Sequence, residues 1–259
     1  MRVKYFLREK ATLTQTTLLL YHLAYNMSTL NRFNTAFKIF IATGSTVLLV
    51  KDKPLCYNTR IMNGYDFDET ILKGNSVRRF FCYCFLRLPY LFIYLPVLFV
   101  AVIFKRCINS NTYYNMLTYF VKLIPNKQKF VTKYWDKHIN KIKQWYYDQQ
   151  KEDDIIISAS PSYLVEEACR RIGVRCIATP VDLKTSKVIG GNHCYGAQKP
   201  KFFREQFGDA QLETFYSDSM SDEPMFKLAR RGYLVKGDKI TLIYENGEML
   251  PKEKQIRIQ

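Results

Sequence analysis

Two aspartates, Asp66 and Asp68, stand one residue apart at the end of a short apolar segment, in the stretch YDFDETILKGNS. On a strand, side chains at positions i and i+2 project to the same face, so this spacing predicts two carboxylates on one side. Like charges that close disfavour joint ionisation unless a cation or a shared proton relieves them. The pair therefore indicates either a solvated acidic turn or a cation site.

Further polar groups follow apolar segments later in the chain, namely Ser158 in IIISAS, Lys199 in GAQKPKFF, and Asp218 and Asp222 in YSDSMSDEP. Asp66, Asp68 and Asp218 together would supply the oxygen ligands that Mg²⁺ prefers. Ser158 offers a hydroxyl donor and Lys199 a compact positive charge, and both suit a phosphoryl group. An aspartate beside a bound phosphoryl group can act as a nucleophile and form an aspartyl-phosphate.

The first element that would position these groups is a strand followed by a helix in DDIIISASPSYLVEEACRRIG. Ile155–Ile157 has the apolar pattern of a buried strand. Ser160 is expected as the helix N-cap with Pro161 at the first helical position, and Gly173 as the residue that ends the helix.

A second unit of the same kind follows in FYSDSMSDEPMFKLARRGYLV. We expect a strand to end at Phe215–Tyr216, a helix to start near Ser221–Pro224 and stop at Gly232, and another strand to follow. Alternating strands and helices predict a mostly parallel sheet with helices on both faces, whose ligands bind at the carboxyl ends of the strands.

In this order and context the polar groups resemble the motifs of the haloacid dehalogenase superfamily of phosphohydrolases. The first motif is DFDET, the second the serine of IIISAS, the third the lysine of YGAQK and the fourth SDSMSD. The resemblance covers roughly residues 62–240 and is closest to the phosphoserine-phosphatase-like branch, in which a cap is inserted between the first and second motifs. It implies an α/β fold with a Rossmann-like parallel sheet core and an inserted α-helical cap domain.

The resemblance also implies roles in a phosphatase reaction. Asp66 would attack phosphorus, and Asp68 would protonate the leaving oxygen and then activate the hydrolytic water. Ser158 and Lys199 would bind the phosphoryl group and stabilise its transition-state charge. Thr70 would brace the loop.

The implied cofactor is Mg²⁺, and the implied metal residues are Asp66, Asp68, Asp218 and Asp222. Asp68 would contribute its backbone carbonyl, Asp218 would bind the ion directly, and Asp222 would support it through water. The sequence departs from the family at Glu69, which stands where the family often has glycine, and in the low apolarity of the segment before Asp66.

The motif positions predict the domain organisation. The catalytic core takes residues 62–75 and 155–245, and the cap takes residues 76–154. Residues 1–61 are an N-terminal extension to which we assign no role, and residues 246–259 are a C-terminal tail.

The cap is basic and contains a long apolar segment. The chain has a net charge of +16, and residues 76–154 hold 13 Lys and Arg against 5 Asp and Glu. Residues 80–104 include one charge, Arg87, and are interrupted by Pro89 and Pro96. Because Asp66 and Ser158 must meet in one site, a single membrane span between them is excluded. Two arrangements of the apolar segment remain possible: a bent hairpin that lies on the membrane, or an apolar cap that is buried in protein.

Basic residues surround the apolar segment, as they do at anionic lipid headgroups; they are Arg78, Arg79, Arg87, Lys105 and Arg106. Downstream, KFVTKYWDKHINKIKQWYYD has the spacing of an amphipathic helix with an aromatic face and a basic face. That helix would lie either on a membrane or against its own domain.

These features favour a membrane lipid phosphate monoester, such as phosphatidylglycerophosphate, as the substrate, and the cap is similar to that of the phosphatidylglycerophosphatase C family. The alternative is a soluble phosphomonoesterase of the phosphoserine phosphatase type. Seven cysteines without a C-x-x-C pair predict a reducing, cytoplasmic compartment. We expect a peripheral or monotopic enzyme at the inner face of the cell membrane, with an anionic membrane surface as partner and no nucleic acid or protein partner.

Overall fold

The computed structural model describes residues 61–104 and 106–259, so the expectations for residues 1–60 and for Lys105 lie outside the described residues. The strands of the described part are β1 (Ile61–Tyr65), β2 (Ile155–Pro161), β3 (Arg175–Thr179), β4 (Val181–Asp182), β5 (Lys187–Val188), β6 (Gln211–Ser217), β7 (Ala229–Lys236), β8 (Lys239–Glu245), β9 (Glu248–Met249) and β10 (Ile256–Arg257). The main sheet has the order β3-β2-β1-β6-β7-β8-β10, β9 also pairs with β8, and β4 pairs with β5 separately. Strands β3, β2, β1, β6 and β7 are parallel to one another. Strand β8 is antiparallel to its neighbours β7, β9 and β10.

The helices are α1 (Ser76–Arg87), α2 (Leu95–Ile103), α3 (Ser110–Thr118), α4 (Lys127–His138), α5 (Gln144–Gln149), α6 (Ser162–Ile172), α7 (Lys199–Phe207) and α8 (Glu223–Leu228). Short 3₁₀ segments join several of them, including Pro89–Tyr94 and Tyr119–Leu123. Helices α1 to α5 lie between β1 and β2 in the chain, as predicted for a cap inserted after the first motif. The predicted α/β architecture with a mainly parallel sheet is confirmed.

The central strand β2 shows why helices cover both faces of the sheet. Ile156 belongs to an apolar cluster with Leu164 of α6, whereas Ile155 and Ile157 belong to a second cluster with Phe203 of α7. Alternate residues of a strand point to opposite faces, so a strand covered on both faces is apolar at every position.

Strand β1 contains a polar residue, Asn63, and a glycine, Gly64, and the contacts of each explain its place in the sheet. The Asn63 side-chain amide donates to Asp154 Oδ1 at 3.0 Å, and its oxygen accepts from the Thr214 hydroxyl at 2.8 Å. A Cβ atom on Gly64 would lie 2.8 Å from the Phe215 ring. Asn63 is therefore hydrogen-bonded, and Gly64 allows close packing beside the site.

Helix α6 starts later than the sequence predicts. Its first residue is Ser162, Pro161 is its N-cap, and Ser160 belongs to β2. The hydroxyl of Ser160 donates to Asp68 instead of capping the helix. Gly173 ends the helix as predicted, with φ of +71°, a conformation that costs glycine little.

The predicted helix stop at Gly232 is wrong. Helix α8 ends at Leu228, and Gly232 lies inside β7. A Cβ atom there would lie 2.9 Å from the side chains of both Phe226 and Tyr244. This glycine serves close packing between a helix and the sheet, which the sequence pattern does not distinguish from a helix end.

The aromatic face of α4 packs inside the protein, against both the catalytic core and the rest of the cap. Tyr134 and Trp135 are fully buried. The indole Nε1 of Trp135 donates to the Leu164 carbonyl at 2.8 Å, and the Tyr134 hydroxyl donates to the Ser76 carbonyl at 3.3 Å. Packing against the protein itself is therefore the correct interpretation of this face.

The C-terminal tail, residues 246–259, adds strands to the sheet. Both β9 and β10 pair antiparallel with β8. The sheet thus extends beyond the predicted core boundary at residue 245.

A buried lysine ties the end of the cap to the loop after β1. Lys143 is 3% exposed, and its ammonium donates to the carbonyl oxygens of Glu69 at 2.8 Å and Gly237 at 2.6 Å. Burial lowers the pKa of Lys143, and its carbonyl partners are neutral. Glu69 is exposed and has φ of +58°, a left-handed conformation that favours glycine.

We predict that Glu69→Gly stabilises the protein by about 1 kcal/mol, because glycine removes the strain of the left-handed backbone. Thermal unfolding should shift upward by about 2–4 °C for a domain of this size. The matched control is Glu248→Gly, an exposed glutamate in β9, which should lower stability because glycine weakens a strand. A loss at Glu69→Gly equal to that of the control would contradict the strain argument.

Candidate active site

The predicted site residues gather at the carboxyl edge of the parallel strands. Asp66 follows β1 directly, and its backbone N–H donates to the Tyr216 carbonyl of β6 at 2.8 Å. Asp218 follows the end of β6, and Ser158 lies within β2 on the other side of β1. Neighbouring parallel strands end at the same edge, which brings residues distant in sequence together.

Lys199, the first residue of α7, lies between two carboxylates. Its Nζ atom is 2.7 Å from Asp66 Oδ1 and 2.6 Å from Asp222 Oδ2, and the side chain is 2% exposed. Burial opposes the charge on this lysine, but Asp66 and Asp222 outweigh it and raise its pKa above the ordinary value. The Ser217 hydroxyl also donates to Asp222 Oδ2, at 2.8 Å.

Thr70 lies between the carboxylates of Asp66 and Asp218. Its hydroxyl lies 3.3 Å from Asp66 Oδ2 and 3.5 Å from Asp218 Oδ1, and it accepts from the Asp218 backbone N–H at 2.8 Å. Burial raises the pKa of Asp66, an effect opposed by Lys199 and increased by Asp222 and Asp68. Burial also raises the pKa of Asp218.

The expectation that Asp66 and Asp68 both lie on a strand is wrong. Strand β1 ends at Tyr65, and a turn at Phe67 separates the two acids. Phe67 is fully buried, with its ring centroid 5.9 Å from that of Trp135. Asp66 therefore meets Lys199, whereas Asp68 takes a different set of partners.

Asp68 accepts hydrogen bonds from the Ser160 hydroxyl and from the backbone N–H of Ser76 at the start of the cap. Burial raises its pKa, and these hydrogen bonds oppose the shift. The proximity of Asp68 to both cap and core suits an acid that exchanges a proton with a substrate held between them.

Sequence reasoning missed three serines of the site, which are Ser76, Ser160 and Ser217. Ser160 lies two residues after Ser158, whose hydroxyl accepts from the Ser160 backbone N–H at 3.1 Å. Ser217 precedes Asp218 directly. Their one sequence signal is that each lies within or close to a motif stretch, and this signal is weak because short hydroxyl residues are also common in turns and caps.

A divalent cation fits the carboxylates. Among residues 61–104 and 106–259, no three His, Cys, Asp or Glu side chains are grouped as a metal cluster. Magnesium needs fewer, since it is usually held by one or two carboxylates with waters and substrate phosphate. Asp66 and Asp218 converge on Thr70, and buried Asp222 Oδ1 has no hydrogen-bond partner within the described residues. A cation at this position would stabilise the charged forms of acids that burial disfavours.

The chain was compared with solved structures and with curated proteins. A protein of unknown function from Bordetella pertussis Tohama I superposes with a TM-score of 0.53 at 16% identity, covering 67% of this chain and 88% of that chain. A phosphoserine phosphohydrolase-like protein from Francisella tularensis subsp. tularensis SCHU S4 has a TM-score of 0.45 at 14% identity, covering 66% and 85%. The first likeness supports the fold alone. No curated protein matches the chain.

The model of one protein family, described as haloacid dehalogenase-like hydrolase, matches residues 64–227. The matched segment runs from β1 to α8 and includes all the predicted site residues. The match confirms the predicted fold and the prediction of an enzyme, a hydrolase of the haloacid dehalogenase type. The chain therefore belongs to the haloacid dehalogenase-like hydrolase family.

Proposed function

We propose that the protein is a Mg²⁺-dependent phosphatase that works through an aspartyl-phosphate at Asp66 and acts on a lipid phosphate monoester at an anionic membrane surface. The observation that supports the chemistry best is the convergence of Asp66 with a buried lysine on one side and with Asp218 on the other. The proposed nucleophile Asp66, the positive charge of Lys199 and the proposed metal ligand Asp218 thus lie together at the carboxyl ends of the strands.

The first half of the reaction transfers the phosphoryl group to the enzyme. An Asp66 oxygen attacks phosphorus, the bond from phosphorus to the ester oxygen breaks, and that oxygen takes a proton from Asp68. Lys199, together with the hydroxyl of Ser158, binds the phosphoryl oxygens as their negative charge redistributes. Asp222 holds the Lys199 ammonium in position for this task.

The second half regenerates the enzyme. A water molecule loses a proton to Asp68 and attacks phosphorus, and the bond from phosphorus to Asp66 breaks to release inorganic phosphate. Mg²⁺ would be held by Asp66, Asp218 and the Asp68 carbonyl, with Asp222 in support, and would neutralise charge on the phosphoryl oxygens. Thr70 orients Asp66 and Asp218 for this arrangement.

The cap surface supports a membrane substrate. Residues 86–104 form an apolar lobe in which large side chains are exposed, including Leu86 at 81%, Ile93 at 80% and Phe99 at 68%. Ala101 is the one buried residue of α2. Exposed apolar surface of this extent marks an interaction site. In the described part of the chain, no helix has both the length and the apolarity to cross a bilayer.

Basic grooves next to the apolar lobe favour an anionic lipid surface as its partner. Arg87 lines a groove of about 270 Å³ with Lys129 and Lys133, and a second groove of about 490 Å³ with Arg78 and Lys141. Each basic residue near an anionic headgroup layer contributes about 1 kcal/mol of attraction. An apolar lobe beside basic grooves is the pattern of a segment that lies in the membrane interface.

We predict that Asp66→Asn lowers kcat/KM on the order of 10³-fold or more, because an amide is a poor nucleophile toward phosphorus. Phosphate release should be measured with Mg²⁺ and with chelator. The panel pairs phosphatidylglycerophosphate and phosphatidate in mixed micelles with phosphoserine and other soluble monoesters. Asp209→Asn, at a fully exposed carboxylate, is the matched control and should keep wild-type activity.

A wild-type rate for Asp66→Asn would overturn the nucleophile assignment. Activity that survives chelation would overturn the metal assignment. Preference for a soluble ester would preserve the chemistry and favour the alternative of a soluble phosphomonoesterase.

We predict that the triple variant Ile93→Ser, Phe99→Ser, Val102→Ser reduces binding to phosphatidylglycerol vesicles at least ~100-fold, because each buried apolar side chain contributes about 1.5–3 kcal/mol. Co-sedimentation measures the partitioning, and turnover of a soluble ester serves as the check on folding. Leu91 is unsuitable for this test because it is fully buried.

The matched control replaces three exposed apolar residues outside the cap, Ile189, Ile256 and Ile258, with serine. Vesicle binding should be unchanged in that variant. Equal loss in both variants, or no loss in either, would contradict membrane insertion of the apolar lobe.

A further inference from the structure

The cap places one tyrosine at the carboxyl edge of the sheet. Tyr114 of α3 is 9% exposed, and its ring centroid lies 4.3 Å from that of His193. The His193 Nε2–H donates to the Ala159 carbonyl at 2.9 Å, next to Ser158. A cap residue is thereby fixed beside the second motif.

The hydroxyl of Tyr114 is buried and makes no hydrogen bond within the described residues. Thr179 lies near it, but no hydrogen bond joins the two hydroxyls; the Thr179 hydroxyl donates to Ala159 O at 2.7 Å and accepts from the Cys194 N–H at 3.1 Å. Native proteins rarely leave a buried polar group unpaired, so this donor is unexplained by the protein alone.

The surroundings of this hydroxyl belong to the catalytic site. Burial raises the pKa of Tyr114 well above its ordinary value, with Tyr163 and the Asp68 carboxylate adding to the shift and Thr179 opposing it. The phenol is therefore a neutral donor, held beside the second motif by its ring contact with His193. Asp68 is the carboxylate to which we assign proton transfer with the leaving oxygen.

We propose that Tyr114 is a substrate-binding residue whose hydroxyl donates a hydrogen bond to the ester oxygen that joins the alcohol portion of the bound phosphate monoester to phosphorus. The proposal rests on the proposed phosphatase function and adds a cap-borne contact to it. The phosphoryl group is held in the core by Lys199 and Ser158, so the alcohol portion extends toward the cap, where Tyr114 lies.

Cleavage of the ester bond makes the contribution of this hydrogen bond to the rate depend on the type of ester. When the bond from phosphorus to the ester oxygen breaks, its electron pair stays on the oxygen, which takes the Asp68 proton. Tyr114 keeps its own proton throughout. A hydrogen bond to an oxygen that gains negative charge stabilises the transition state more than the ground state. The effect is larger for an alkyl ester than for an aryl ester, whose ring delocalises that charge.

The experiment compares Tyr114→Phe with wild type on glycerol phosphate and p-nitrophenyl phosphate. We expect kcat/KM to fall about 10- to 100-fold on the alkyl ester, with a clearly smaller loss on the aryl ester. The melting temperature should not fall, because the variant removes an oxygen without a partner.

The matched control is Tyr146→Phe. The Tyr146 hydroxyl is also buried without a partner in the described part of the chain. It lies near Asp154, which precedes β2 and is at the opposite end of that strand from Ser158. This variant should keep wild-type kinetics on both esters.

If the enzyme shows no turnover, binding measurements test the Tyr114 contact separately from the proposed phosphatase mechanism. Calorimetry in an Asp66→Asn background should show that Tyr114→Phe weakens glycerol phosphate about 10-fold and leaves inorganic phosphate unchanged. That result without wild-type turnover would overturn the phosphatase mechanism and sustain the Tyr114 contact. Unchanged kinetics and binding in Tyr114→Phe, or equal losses on both esters with a lowered melting temperature, would overturn the contact.

Discussion

The buried ammonium of Lys199 is the interaction on which the candidate site depends. A charge with 2% exposure is costly unless it is paired, and here Asp66 and Asp222 lie 2.7 Å and 2.6 Å from it. These contacts join the end of β1, the start of α7 and the segment before α8. The same contacts place a positive charge beside the proposed nucleophile, so the requirement for charge pairing and the requirement for phosphoryl binding are met by one arrangement.

The cap uses its two surfaces differently. Its inner surface packs on the core through Trp135, and it brings Tyr114 beside His193 near the strand ends. Its outer surface exposes the apolar lobe, residues 86–104, beside basic grooves. Lys143 fixes the end of the cap to the loop that carries Asp66 and Asp68, because its ammonium binds the Glu69 carbonyl. The exposed apolar lobe and the core-facing surface are thus parts of one helical insertion.

Local patterns predicted elements well where one physical preference was dominant. Gly173 ends α6 because a left-handed residue there favours glycine. Patterns failed where a residue had a competing tertiary partner. Ser160 suited an N-cap by type, but its hydroxyl binds Asp68. Gly232 suited a helix stop, but the close approach of Phe226 requires it inside β7.

The sequence by itself predicted the candidate site residues and a mostly parallel sheet to carry them. Each of Asp66, Ser158 and Asp218 lies in or just after an apolar strand, and parallel strands bring such positions to one edge. Only the tertiary structure decided that Asp66 and Asp68 take different partners and that Tyr114 reaches the site. Those facts depend on packing between segments far apart in the chain, such as Phe67 against Trp135 and Tyr114 against His193. Residue type and spacing carry no information about such contacts, because many side chains of similar size and polarity could have filled the same positions.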